Sequence, residues 1–122
     1  MKMVITAKNN IWESEVDPRF GRCNYFLIID SNTMNFESIS NESAIASGGA
    51  GIQAAQTISK TGAEIVITGN IGPNAYQTLS AAGIKVFIGA NGKIEEAIEM
   101  YKKGELKEAE SPNVNSHSGM MR

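Results

Sequence analysis

The chain is short of the side chains that several protein classes depend on. It holds one cysteine, Cys23, in 122 residues. A single thiol excludes an intramolecular disulfide and fits a reducing compartment. Its one histidine, His117, cannot complete a four-ligand zinc site with that cysteine unless chains share ligands. Aspartate is confined to Asp17 and Asp30, and no carboxylate lies in the first strand-like run. The clustered carboxylates that hold paired magnesium ions in nucleases are therefore lacking there. A Ser–His–acid arrangement would need His117 to fold back from the tail, and neither a P-loop nor a nucleophile elbow occurs. These absences disfavour an enzyme. Eleven Lys and Arg against thirteen Asp and Glu give a net charge of −2, so there is no basic footprint for nucleic acid. No apolar run approaches the length of a membrane span. No charged segment followed by an apolar one opens the chain, so no secretory signal is expected and the expected location is cytoplasmic.

What remains is ordinary globular composition, 42% hydrophobic and 20% charged. Its length predicts one domain over 1–110 with a loose, flexible tail over 111–122. The apolar runs 3–6 and 25–30 predict strands, separated by a long loop. Asp30 to Thr33 is turn chemistry, and 34–39 reads as the return arm of a hairpin. The rhythm then changes. Ile52, Ala55 and Ile58 recur at helical spacing, with Gly62 suited to the position past a helix end. Runs 64–68 and 84–88 predict strands, and Pro73 opens a helix that Gly83 stops. Ile94, Ala97, Ile98 and Tyr101 mark one face of a helix over 93–103, with Glu99 and Lys103 one turn apart on the other. A further helical turn is expected over 106–110. A hairpin followed by alternating strands and helices predicts an α/β domain. We expect about five strands, helices on both faces, and right-handed crossovers.

Three glycine-bearing stretches carry candidate chemistry. Ser47-Gly48-Gly49-Ala50-Gly51 opens a helix, whose first amides could cradle an anion. The run from Gly49 to Ala54 matches a dinucleotide pattern, but a polar segment rather than a buried strand precedes it. The bland alternative is a tight entry turn. The loop from Thr68 to Asn74 joins a strand end to a helix start, where open α/β sheets place ligands. Gly69 and Gly72 permit close backbone approach, and Asn70 and Asn74 offer donors and acceptors; alternatively Asn74 supports the first helical turn. Asp17-Pro18-Arg19-Phe20-Gly21-Arg22-Cys23 is the densest constellation. Guanidinium forks suit anionic clusters, and nearby positive charge favours the thiolate that ligates soft metals. Against this, Arg22 pairs with Asp17 to pin the loop, and Cys23 is a small buried hydrophobe. His117 lies beside Met120 and Met121, which supply soft-metal ligand types, or is simply solvated.

These motifs, together with the run Ala82-Gly83-Ile84-Lys85-Val86 and the tail from Pro112 through His117 to Met120, occur in order from Met1 to Met121. On them the chain resembles the dinitrogenase iron–molybdenum cofactor biosynthesis family, in its small NifX-like and NifB C-terminal-like members. The resemblance implies a ribonuclease-H-like motif with a mixed five-stranded sheet, its second strand antiparallel to the rest. It implies a non-enzymatic accessory role: binding or carrying an iron–sulfur, iron–molybdenum or molybdenum–copper cluster for cofactor assembly. Partners would be the cluster and its donor or acceptor proteins, not nucleic acid or membrane. Arg19 and Ser47 stand where many relatives carry histidine, which removes two imidazoles. The radical-SAM cysteine motif of larger members is absent, which leaves a carrier or accessory domain.

The cluster would rest among Phe20, Gly21 and Arg22, the helix start at Gly48, Gly49 and Gly51, and the loop of Gly69, Asn70, Gly72 and Asn74. Cys23 and His117 are the candidate metal ligands. The competing readings are a small-molecule or nucleotide-binding regulatory module and, by fold analogy alone, a ribonuclease-H-like nuclease.

Overall fold

The computed structural model describes residues 1–45 and 49–112. Its strands are β1 (Lys2–Ala7), β2 (Tyr25–Asp30), β3 (Phe36–Ser40), β4 (Ile65–Ile67), β5 (Lys85–Ile88) and β6 (Lys107–Glu108). Its helices are α1 (Ala50–Ser59), α2 (Pro73–Ala81) and α3 (Ile94–Lys102), with a 3₁₀ turn at Glu42–Ile45. They form one mixed sheet in the order β3-β2-β1-β4-β5-β6. β1, β4 and β5 are parallel, whereas β2 and β6 each run against their neighbours.

The sheet therefore has six strands where five are expected, and two reversed strands where one is expected. The extra strand is β6, which replaces the helical turn predicted over 106–110. Lys107 and Glu108 pair with Ile88 and Phe87, and the Ala109 amide donates to the Val86 carbonyl at 2.8 Å. Leu106 and Ala109 are buried on opposite faces of the sheet. Pairing with a waiting sheet edge and two-sided burial outweigh the helix preference of Leu, Lys, Glu and Ala.

Alternation along the strands divides the core. Val4, Phe26, Ile28, Val66 and Val86 point to one face, where Ala54, Ala55 and Ile58 of α1 and Ala75 and Leu79 of α2 cover them. Met3, Ile5, Leu27, Ile29, Ile65 and Ile67 point to the other, against Ile94, Ala97 and Ile98 of α3. Helices thus lie on both faces, as the patterning predicts. No helix among the described residues is long and apolar enough to cross a membrane.

Strand direction positions the site. The parallel strands β1, β4 and β5 end at one rim, where β2 begins (Ala7 opposite Tyr25) and β3 ends (Ser40 opposite Tyr25). The segments that follow Ala7, Ser40, Ile67 and Ile88 all gather there. In open α/β sheets this is the ligand-binding side.

Candidate functional site

At that rim the chain from Pro18 to Gly21 is wedged between two neighbours. The Asn70 amide donates to the Pro18 carbonyl at 2.8 Å, and Arg19 bridges Asn70 in parallel. A Cβ on Gly69 would fall 2.6 Å from the Pro18 Cβ, so only glycine lets these backbones meet. Gly21 plays the same part toward α1: a Cβ there would lie 2.9 Å from the Gly51 Cα. Gly51 in turn packs toward Ala75 at the start of α2. Two of the three predicted stretches, 17–23 and 69–74, thereby meet the described part of the third, Gly49 and Gly51. Gly48 and His117 lie outside the described residues, as does the tail from residue 113.

The two helix starts brought side by side are bare. α1 begins after Gly49, which adopts φ 73°, and no side chain among the described residues caps it. α2 begins after Gly72 with Pro73 in its first turn, again with no side-chain cap. Neither first turn contains an acidic residue. α3 differs in charge: Glu95 and Glu96 lie in its first turn, and the Lys93 amide donates to the Glu96 carboxylate at 2.7 Å. The first amides of a helix have no partner within it and carry its positive dipole end. Of the residues in these two first turns, Ile52 and Asn74 are exposed, whereas Ala50 and Ala75 are buried. Asn74 is exposed and lies in the first turn of α2.

The loop that abuts these amides is rich in cations and held from beneath. Asp17, buried, accepts from the Arg19 amide and takes two guanidinium nitrogens of Arg19, all at 3.0 Å. The Asp17 hydrogen bond and charge push the Arg19 guanidinium further up. The Thr6 hydroxyl donates to the Asp17 carbonyl at 2.6 Å and lies 2.9 Å from the Thr68 hydroxyl. Asp17 thus pairs with Arg19 rather than with Arg22, because the turn already brings the Arg19 amide onto the same carboxylate. Arg22 is exposed and instead donates to the Ala44 carbonyl at 2.8 Å. Phe20 is buried against Phe26, ring centroids 5.6 Å apart.

Cys23 is fully buried, its Sγ donating to the Phe20 carbonyl at 3.4 Å. Burial first, then the Asp17 charge, pushes the thiol up to about 12. That is opposite in direction to the thiolate-favouring effect expected from the nearby guanidiniums. Asn41, which sequence reasoning passes over as one polar residue among several, proves to be buried. Its Nδ2 donates to the Gly21 carbonyl at 3.1 Å and the Cys23 carbonyl at 2.9 Å, and its Oδ1 accepts from Ser43 at 2.6 Å. It ties the 20–24 loop to the segment after β3. Nothing in the sequence marks it as buried. Among the described residues, no three His, Cys, Asp or Glu side chains gather as a metal site would need.

Comparison with known proteins adds a second line of observation. Residues 1–104 match the model of the family described as dinitrogenase iron-molybdenum cofactor. No curated protein matches the chain. Among solved structures, the apo form of the orange protein from Desulfovibrio gigas is similar over 92% of this chain and 95% of its own. The two share 39% identity and a TM-score of 0.88. A protein from Thermotoga described as a NifB protein is 36% identical, with TM-score 0.77 over 88% of this chain and 91% of its own. A protein from Methanocaldococcus jannaschii described as a dinitrogenase has TM-score 0.68 over 92% of this chain and 97% of its own. Its 23% identity speaks for the fold alone.

Proposed function

The chain belongs to the dinitrogenase iron-molybdenum cofactor family, and from that membership we propose that it is a non-enzymatic accessory protein that carries an anionic metal–sulfur cluster. One observation carries the reading: two uncapped helix starts stand together beside a loop bearing Arg19 and Arg22. Each start behaves as roughly half a positive charge, and guanidiniums add donors in a fixed fork. An electron-rich cluster of iron–sulfur, iron–molybdenum or molybdenum–copper type would find its charge matched by Phe20–Arg22, Gly49–Ile52 and Gly69–Asn74. The five-strand part β3-β2-β1-β4-β5, with β2 reversed, is read as the ribonuclease-H-like motif, β6 being an added edge.

The mode of holding follows from the chemistry of the lining. Backbone amides and guanidiniums bind by hydrogen bonds and charge, which a competing acceptor can displace. A ring of thiolates would not release so readily, and a carrier must release. Cys23, kept protonated within the core, supports the loop rather than ligating in this arrangement. Cluster donor and acceptor proteins would approach the same rim.

Titrating the purified protein with thiomolybdate and copper(I), or with an iron–sulfur source, tests this. We expect a charge-transfer absorption band that stays with the protein through desalting. Arg22→Ala should weaken retention by about tenfold, the scale of one charge-assisted hydrogen bond. Unchanged spectra, with no metal retained from either source, would overturn the reading.

A further inference from the structure

The two edges of the sheet are unequally defended. β6 closes one with two charged residues, Lys107 and Glu108, the short charged edge that resists pairing. β3 forms the other with five residues, of which Glu37 alone is charged. It carries no lysine, no proline and no bulge to blunt it.

The backbone of β3 shows which groups it offers. The Asn41 amide donates to the Asn24 carbonyl and the Asp30 amide to the Asn35 carbonyl, both at 2.9 Å, bracketing a register that runs from Tyr25–Ser40 to Ile29–Phe36. Hydrogen-bonded pairs alternate along an antiparallel ladder. Odd-numbered residues from 35 to 41 therefore turn their amides and carbonyls to β2. Phe36, Ser38 and Ser40 turn theirs outward, where no strand among the described residues meets them. Apolar surface adjoins this edge. Ile11 and Phe36 are 51% and 38% exposed, and Trp12 packs on Phe36 with ring centroids 5.6 Å apart. Trp12, Met34, Asn35, Phe36 and Glu95 line one groove there.

We infer that β3 pairs with β3 of a second copy of this chain, antiparallel, about a two-fold axis at Ser38. Among the registers that set outward backbone against outward backbone, that one engages the most of it. Centred on Ser38, the outward backbone of Phe36 meets that of Ser40, and Ser38 meets itself. Three outward residues per strand are then fully engaged, and Glu37 falls opposite Ile39. Slipping one way sets Glu37 directly against its own copy, a destabilising like-charge pair. Slipping the other way shortens the ladder to two outward residues per strand. β3 runs toward the cargo rim, so antiparallel pairing puts the two rims at opposite ends of the joined sheet. Both stay open, and the pairing is independent of what the rim carries.

Sedimentation of the full chain over a range of concentrations should show the mass rising from one chain toward two. Ser38→Pro removes an outward amide and none in the β2 ladder, so it should remain monomeric while keeping the wild-type circular dichroism spectrum. Single-cysteine crosslinking then fixes the register, because the native Cys23 is buried. Ser38→Cys would bring two Cα atoms to about 5.5 Å across the axis, within disulfide reach. Ser40→Cys would leave its copies at least about 13 Å apart. We expect Ser38→Cys to form a covalent dimer on mild oxidation at least tenfold faster than Ser40→Cys. A wild-type chain that stays monomeric at every concentration would overturn the inference, including one whose β3 pairs only with a different protein. Equal crosslinking of the two variants, or a dimer that survives Ser38→Pro, would overturn it as well.

Discussion

Cys23 lies within the loop at the rim, yet its thiol points into the core beneath Phe20 and Asn41. Withdrawal from water holds its proton to about 12, against an ordinary 9.0. Two consequences are measurable. The native protein should not react with Ellman's reagent at pH 8, and should yield one equivalent of thiol in denaturant. Stability should also depend on this group in alkali. Below about 9 both folded and unfolded thiols are protonated, and the contribution is complete. Between 9 and 12 the unfolded chain gives up a proton that the folded chain keeps, so stability falls as pH rises. Urea titrations at pH 7 and pH 10 should show a smaller alkaline loss for Cys23→Ala than for the wild type. The loop's composition is legible in the sequence; its internal pairing is not. Which arginine takes Asp17 depends on a turn that also delivers the Arg19 amide, and the role of Asn41 depends on burial created by the segment after β3.

Among the helices, the informative contrast is between α3, closed by its own glutamates, and α1 and α2, left bare. A carboxylate added to a bare start should do two opposite things. Asn74→Asp places a negative charge in the first turn of α2 at an exposed position. Interaction with the helix dipole should stabilise the fold by about 0.3–1 kcal/mol. The same charge should weaken capture of an anionic cluster by about tenfold. Thermal melting and metal retention after desalting, measured on one preparation, check both signs together; a loss of both or a gain of both would contradict the account. The helices themselves are readable from the spacing of Ile52, Ala55 and Ile58, from Pro73 and Gly83, and from the apolar face of α3. β6 is not, because two residues of helix-favouring composition become a strand only when the β5 edge is there to receive them.

For the whole molecule, the decisive feature is a rim at which strand direction collects loops distant in sequence. The hairpin and the alternation of strands and helices imply such a rim, so its existence follows from the order of elements. Its closeness does not. Pro18 against Gly69, and Gly21 against Gly51, are contacts between residues 51 and 30 positions apart, and glycine marks them in sequence only as turns. The central claim of the proposal is that the helix starts at this rim receive the cluster. The most direct test follows the amide resonances of a ¹⁵N-labelled chain while a thiomolybdate–copper cluster is added. Ala50, Gly51, Ile52, Asn74 and Ala75 should shift most and saturate together, with Arg22 side-chain signals moving alongside. If those amides stay still while the largest shifts arise in the Trp12–Phe36 groove or along the glutamates of α3, the cargo does not sit at the helix starts and the account fails.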